Sequence, residues 1–588
     1  MIFDNRSNYM LKYEKAKAKL IEFNIAKEDY PHFQLNSDDL IYITLYTLSR
    51  YCEEMIENPG SDELRELFSE LTNVSQYFDS AVKSKSRQKY DNLFLLLGAT
   101  SYFLAENFGS AKVLISQIDD WSYNKGIMDV LYETLFFLSS NKKHSFISFD
   151  ENSTKYFNAF CNHFDKGDSI ETIYNALNIL REQAYQSQDI FNVTYIDLLY
   201  GVSICATHHS AWVLLSKHSD IKAELWKEYL LNDKSIKLLW PAQRVILEAG
   251  ILTGKDIVVP LPTGVGKTKS IELLLRSVFM DTDTCVTVIV APLRALCNEI
   301  TTDLSYALGD IAVINQFTDT MQEDFDLEIL HNTKYVFVCT PEKISYILRH
   351  EPDFLQTIKL FIFDESHLFD DDTRGAQYEL LVSEVARSRS SSAQLVLFSA
   401  VLSNANQISD WLFHDVNATI DSSLVKSTEK TVGFLSSDHT IHYYEKDEMS
   451  IESFYVPQSV KTAQLQLKPK ERTARFFPEN KSQDLAIYYA VNLSKGTGVA
   501  IFAGQARSIP SIMRRIVELD SRGYDFSELV NYGDITQINS LYELFRQHYG
   551  EESELSKVVK MGILPHYANL PNGIKMAIEY ALRKRHAY

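Results

Sequence analysis

The chain has 588 residues, enough for about three or four domains at roughly 150 residues each. Hydrophobic residues make up 45% and charged residues 23%, which excludes wholesale disorder and the collagen, coiled-coil and low-complexity classes. With 58 basic against 78 acidic residues the formal charge is −20, which argues against a histone-like, purely electrostatic nucleic-acid binder and leaves room for a local basic groove.

The opening MIFDNRSNYM lacks a basic segment followed by an apolar one, and no apolar run reaches the ~18–20 residues that span a bilayer, so a cytoplasmic, membrane-free protein is expected. Six cysteines lie far apart without a CxxC pair, and buried free thiols are expected rather than zinc ligands. Residues 1–230 hold 22 basic and 32 acidic residues, few Pro and Gly, and helical apolar periodicity, as in 91–108 and 172–184. Gly109-Ser110 joins two such stretches into a predicted helical hairpin. Leu97-Gly98 with Tyr102 does not make a 34-residue repeat, because the tyrosine is one position out and no second copy follows. One all-helical domain over 1–230 is expected. His208-His209 within it reads as helix surface rather than a metal site.

From about Lys234 short Val/Ile-rich runs alternate with helical stretches: 256–260, 285–291, 311–317, 335–340, 360–364 and 394–401. Apolar runs of this length, each followed by an amphipathic stretch, predict a parallel sheet flanked by helices. Ligands of such sheets sit at the carboxyl ends of the strands. After the first run comes Leu261-Pro262-Thr263-Gly264-Val265-Gly266-Lys267-Thr268. Gly264 and Gly266 let backbone N–H groups close around phosphate oxygens, Lys267 neutralises them, and the Thr268 hydroxyl suits Mg²⁺. The strict pattern has a glycine where this chain has Leu261. A glycine-rich turn with an incidental lysine would not need a strand before it and a helix after it. The run 360–363 ends in Asp364-Glu365-Ser366-His367, where Asp364 suits Mg²⁺ and Glu365 can orient and deprotonate a water.

Over roughly 238–588 these segments resemble, in order, the superfamily 2 DExH helicases, and among them the Ski2-like group. Trp240-Pro241-Ala242-Gln243 resembles the adenine-reading Q motif, with Gln243 as the base contact. Thr263, Gly264, Val265, Gly266, Lys267 and Thr268 stand as motif I, and Asp364 to His367 as motif II. Ala291-Pro292-Leu293-Arg294 and Thr340-Pro341-Glu342-Lys343 resemble motifs Ia and Ib, which implies backbone contacts to nucleic acid from Pro292, Arg294, Thr340 and Lys343. Arg374-Gly375 with Tyr378-Glu379 is similar to the stretch that follows motif II in that group. Ser399-Ala400-Val401 stands where the coupling motif S-A-T is found, with Val401 lacking the threonine hydroxyl, and Ser399 and His367 are implied as coupling residues.

Val499-Ala500-Ile501-Phe502-Ala503-Gly504 resembles the first strand of a second RecA-like domain with motif IV, and GILPHYANLPNG at 562–573 the segment before motif V; Gly504 and His566 are the implied nucleic-acid contacts. Tyr567 and Asn569 depart from that pattern. No counterpart of motif V or of the final arginine-bearing motif precedes Tyr588, so the chain is expected to be part of a longer protein and catalytically incomplete by itself.

The resemblance implies an α/β fold. A RecA-like P-loop domain (231–425) is followed by a linker and partial second RecA-like domain (426–588), both preceded by the helical domain. It implies an ATP- and Mg²⁺-dependent helicase or translocase on single- or double-stranded nucleic acid, DNA ahead of RNA. The long helical start resembles that of helicase subunits in bacterial anti-phage defence systems, Hachiman among them, which work beside a nuclease. The competing reading is a nucleotide-gated sensor or scaffold controlling a docked effector. Asp370-Asp371-Asp372 and the basic run 468–475 read as a solvated loop and a solvated connector.

Overall fold

Why the alternating runs become one sheet is plain from their burial in the computed structural model. It describes residues 3–30, 38–84, 91–124, 126–144, 149–232, 234–262, 264–316, 333–370, 374–400, 402, 404–425, 430–444, 452–494 and 498–583. Contacts divide the chain into two units, one of residues 1–8, 38–82 and 87–429, the other of 9–37, 83–86 and 430–588.

In the first unit the strands β1 (Ile257–Pro260), β2 (Cys285–Val290), β3 (Val313–Gln316), β4 (Lys334–Cys339), β5 (Ile358–Phe363) and β6 (Gln394–Ser399) form one sheet in the order β1-β6-β5-β2-β4-β3. Every pair is parallel. Alternate residues serve different cores, as the two-residue side-chain period requires. Val259, Ile289, Ile362 and Phe398 join the cluster that includes Leu274 and Leu304, whereas Val258, Val288, Phe363 and Leu397 join the one that includes Ile344 and Val385. Both faces of the sheet are therefore covered apart from the half-exposed edge strand β3, which is why the other runs read as continuously apolar. The sequence ranges agree with the strands to within a few residues. Residues 317 and 401 lie outside the described residues.

The rest of this unit is helical. The 19-residue helix Ile190–His208 runs through its centre, with Ile196, Leu198, Leu199 and Val202 fully buried. By length and composition this helix could cross a membrane, with a mean hydropathy of 1.4, which corrects the expectation that no run is long enough; 61% of that window is buried inside the protein. A hairpin is present as Asp91–Leu104 and Phe108–Ile115, but its turn falls at 105–107, and the expected junction Gly109-Ser110 lies inside the second helix. All six cysteines are free and buried. His208 is exposed, but His209 is not on the helix surface: it is fully buried, because it caps the central helix where the chain turns back against Leu239.

In the second unit the strands β7 (Val432–Leu435), β8 (Ile441–Tyr444) and β9 (Glu452–Val456) pair antiparallel. Ala16 and Leu20 of the first helix pack on Ile441, Tyr443 and Val456, so this helix groups with the second unit. A ribbon of β10 (Ala463–Leu465) and β11 (Arg475–Phe477) packs with Ile487, Ile516 and Val558. The run 468–474 is an exposed or half-exposed loop entering β11. Residues 499–504 are not the expected strand. They are irregular, Phe502 is 94% exposed, and among the described residues no backbone pairs with them, so the ladder that would stabilise a strand is missing.

Candidate nucleotide and nucleic-acid site

The strand order sets β1, β6 and β5 side by side, so the loops leaving their carboxyl ends meet. Leu261 continues the ladder, its N–H donating to the Ser399 carbonyl at 2.8 Å, and its side chain is fully buried in the core. That burial accounts for leucine where the strict motif has glycine. Gly264 and Gly266 have φ of +84° and +94°, a region L side chains rarely adopt, and space around Gly264 is open. Thr263 lies outside the described residues. Val265 packs into the core, and Lys267 and Thr268 open the helix Lys267–Asp281.

Lys267 Nζ is buried without a hydrogen-bond partner. Burial pushes its pKa down, opposed by the charges of Glu365 and Asp364. Asp364 continues β5 by donating its N–H to the Val290 carbonyl at 2.8 Å. Burial raises the Asp364 pKa, the Glu365 charge adds to that, and the Glu365 N–H at 2.9 Å together with Lys267 opposes it. Glu365 sits at φ +53°, in the left-handed region that costs a non-glycine residue about 1 kcal/mol or more. Its Oε2 is buried without a hydrogen bond and lies 3.3 Å from Nδ1 of the exposed His367. An ammonium nitrogen and a carboxylate oxygen, each buried and without a hydrogen bond among the described residues, beside a loop of left-handed glycines fit a nucleoside triphosphate with its cation.

Gln243 is 4% exposed on the helix Pro241–Glu248. Its Oε1 accepts from the Trp240 N–H at 2.6 Å, and its Nε2 faces the Gly266 carbonyl at 3.5 Å. Proline at the helix start and this cap of the Trp240 N–H by the Gln243 side chain explain why the helix begins where it does. Ser399 is fully buried between β1 and β5.

A second cleft of about 440 Å³ opens at the ends of β2 and β4, lined by Pro292, Leu293, Arg294, Thr340, Glu342, Lys343, Tyr346 and Arg374. Sequence reasoning did not place Arg374 among the site residues. It bonds the Pro292 carbonyl at 3.0 Å and Glu342 at 2.8 Å, tying the two basic loops together. The adjoining Gly375 leaves no room for a side chain, since a Cβ would stand 2.5 Å from the Phe369 carbonyl oxygen. That steric signal is invisible without coordinates. Gly504 and His566 belong to the second unit; Gly504 is exposed, and His566 pairs with Glu579 at 2.9 Å. Among the described residues no group of His, Cys, Asp and Glu forms a metal cluster, and the side chains of Asp370, Asp371 and Asp372 lie outside the described residues.

A parallel sheet carrying these loops defines a RecA-like P-loop core. Residues 240–408 match the DEAD/DEAH box helicase family. The chain is 24% identical to Hachiman protein HamB of Bacillus cereus over 606 aligned positions, covering 98% of this chain and 53% of that protein. It is 26% identical to the ATP-dependent DNA helicase Hel308 of Caldivirga maquilingensis, covering 61% of this chain and 42% of that protein. The Hel308 of Methanococcus vannielii is similar at 25% identity, with 60% and 43% covered. The chain thus spans about half the length of the curated relatives it matches.

Proposed function

We propose that the protein is an ATP-driven DNA translocase or helicase of Hachiman-type anti-phage defence, acting in the cytoplasm beside a nuclease or other effector. Lys267 Nζ and Glu365 Oε2, each buried and without a hydrogen bond among the described residues, at the junction of β1, β6 and β5 carry the ATPase part of this reading. The likeness to HamB supports the defence role, and the likeness to two Hel308 DNA helicases supports DNA.

In this reading the nucleotide and its Mg²⁺ supply the scissile phosphoanhydride and charge neutralisation. Lys267 Nζ gives charge to the phosphates without having to break another bond first. Thr268 and Asp364 would hold the cation, and the raised pKa of Asp364 reflects a carboxylate that gains from one. Glu365, turned out of the strand by its left-handed backbone, orients a water and takes its proton at Oε2. Pro292, Arg294, Thr340 and Lys343 hold phosphates of one strand without reading bases. Ser399 and His367 would link nucleotide state to that grip.

The test is ATP turnover by the full-length protein with single-stranded DNA, with RNA and with neither, together with strand separation. Stimulation by DNA with strand separation is the expected result. Stimulation without separation would favour the second reading, a nucleotide-gated sensor, which the docking of the helical region beside Gln243 also supports. No turnover under any condition would contradict both.

A further inference from the structure

Two segments of the helical region enclose the helix that carries Gln243. His209 accepts the Leu239 N–H on its carbonyl at 2.8 Å, and the Ala211 N–H donates to the Lys237 carbonyl at 3.0 Å, so the end of the central helix is laced to the strand-like lead into Trp240. From the opposite hairpin, Glu106 binds Arg244 through Nη1 at 3.0 Å and Nη2 at 3.5 Å. Nη1 of Arg244 also lies 3.1 Å from His209 Nε2, and His209 Nδ1 lies 3.0 Å from the Cys205 carbonyl. A guanidinium only donates and a carbonyl only accepts, so His209 is the neutral tautomer with its proton on Nδ1. The Trp240 ring lies against Gly109, its Cη2 3.3 Å from where a Cβ would be.

The residues on either side of Gln243 in the fold, Trp240 and Arg244, are thus both held by the helical region. Gln243 itself is held by the Trp240 N–H and reaches the phosphate loop at Gly266. Apolar packing would dock two helices at lower desolvation cost than a buried histidine and a partly buried ion pair. What the polar set adds is direction: it fixes the rotation of the helix Pro241–Glu248 and therefore the carboxamide.

We propose that Glu106 and His209 are positioning residues of the nucleotide site, acting through Arg244, and that the helical region thereby sets the affinity for adenine nucleotide. This rests on the reading of Gln243 and the phosphate loop as a nucleotide site. The experiment measures binding of fluorescent ATP and GTP analogues, with KM and kcat for ATP, on the full-length protein and four variants. Glu106→Gln and His209→Leu should each weaken ATP about ten-fold, raising KM while kcat stays within about two-fold and GTP binding is unchanged. His209→Gln keeps an acceptor for Arg244 and should restore wild-type affinity. Gln243→Ala is the control for the underlying reading. If it binds ATP as the wild type does, the base-contact reading fails and the inference with it. If Gln243→Ala weakens ATP while Glu106→Gln and His209→Leu, folded by thermal melting, do not, the inference alone is overturned. A further measurement needs no variant: in the wild type, ATP should slow hydrogen exchange at Leu239 as well as in the phosphate loop. Protection of the loop with none at Leu239 would overturn the proposal.

Discussion

Acidification should loosen the junction around His209 before it affects the rest of the helical region. Burial pushes the His209 pKa from 6.5 to about 4, Glu106 opposes that and Arg244 adds to it. A histidine with a lowered native pKa binds its proton more readily once the junction opens. Well above pH 6.5 neither state is protonated and the junction is insensitive to pH. As pH falls from 6.5 towards 4 the opened state gains a proton that the closed state does not, so stability is lost across that window. The loss reaches about 2 kcal/mol near pH 5 and about 3 kcal/mol below pH 4, using ~1.4 kcal/mol per pH unit. Local opening rather than global unfolding is the quantity to measure, because a chain of two units need not unfold in one step. Hydrogen exchange of the helix Pro241–Glu248, corrected for intrinsic rates, should show roughly 30-fold lower protection at pH 5 than at pH 7. In His209→Gln, where an amide oxygen can accept from Arg244 and does not titrate, most of that dependence should vanish. An equally acid-sensitive His209→Gln would refute the reasoning.

Three further outcomes follow from other parts of the molecule. Gly375→Ala should destabilise the turn after β5 by about 1–3 kcal/mol, because its Cβ meets a backbone oxygen that cannot swing aside, and should lower ATP turnover in the same variant; a wild-type melting temperature would contradict this. Arg294→Ala or Lys343→Ala should weaken single-strand binding whatever the base sequence, and flatten the salt slope by about one phosphate contact each, measured by fluorescence anisotropy across a salt series. Arg522, by its hydrogen bonds, holds the Glu471 pKa down from 4.5 to about 2 in a bidentate pair at 2.8 and 3.0 Å. The stability it gives is present above pH 4.5 and is lost as pH falls towards 2, so Glu471→Gln should melt earlier at neutral pH and show less loss on acidification.

Much of the first unit was legible because its chemistry is local. Each strand is a short apolar run, and each site loop follows its strand directly, so Lys267, Asp364 and Ser399 could be set at strand ends from the letters alone. What could not be read depends on partners far along the chain. Glu106 and Arg244 are 138 positions apart, and nothing in either neighbourhood announces the pair. His209 looked like surface because its own helix ends there; the strand-like lead at Leu239 buries it. The first helix groups with β7 to β9 through Ala16 and Leu20, although its composition is that of its helical neighbours. Residues 499–504 have strand-like composition, yet a strand exists only where another backbone completes its hydrogen bonds.

The most direct measurement of the central claim compares ATP binding and single-turnover phosphate release for the wild type, Lys267→Ala and Glu365→Gln in the full-length protein. The account predicts that Glu365→Gln binds ATP with near-wild-type affinity but releases phosphate at least ~10²-fold more slowly, because an amide cannot take the proton from water. Lys267→Ala should lose both binding and release, as the buried ammonium with no other hydrogen-bond partner is the charge the phosphates meet. Wild-type phosphate release by Glu365→Gln would contradict the account.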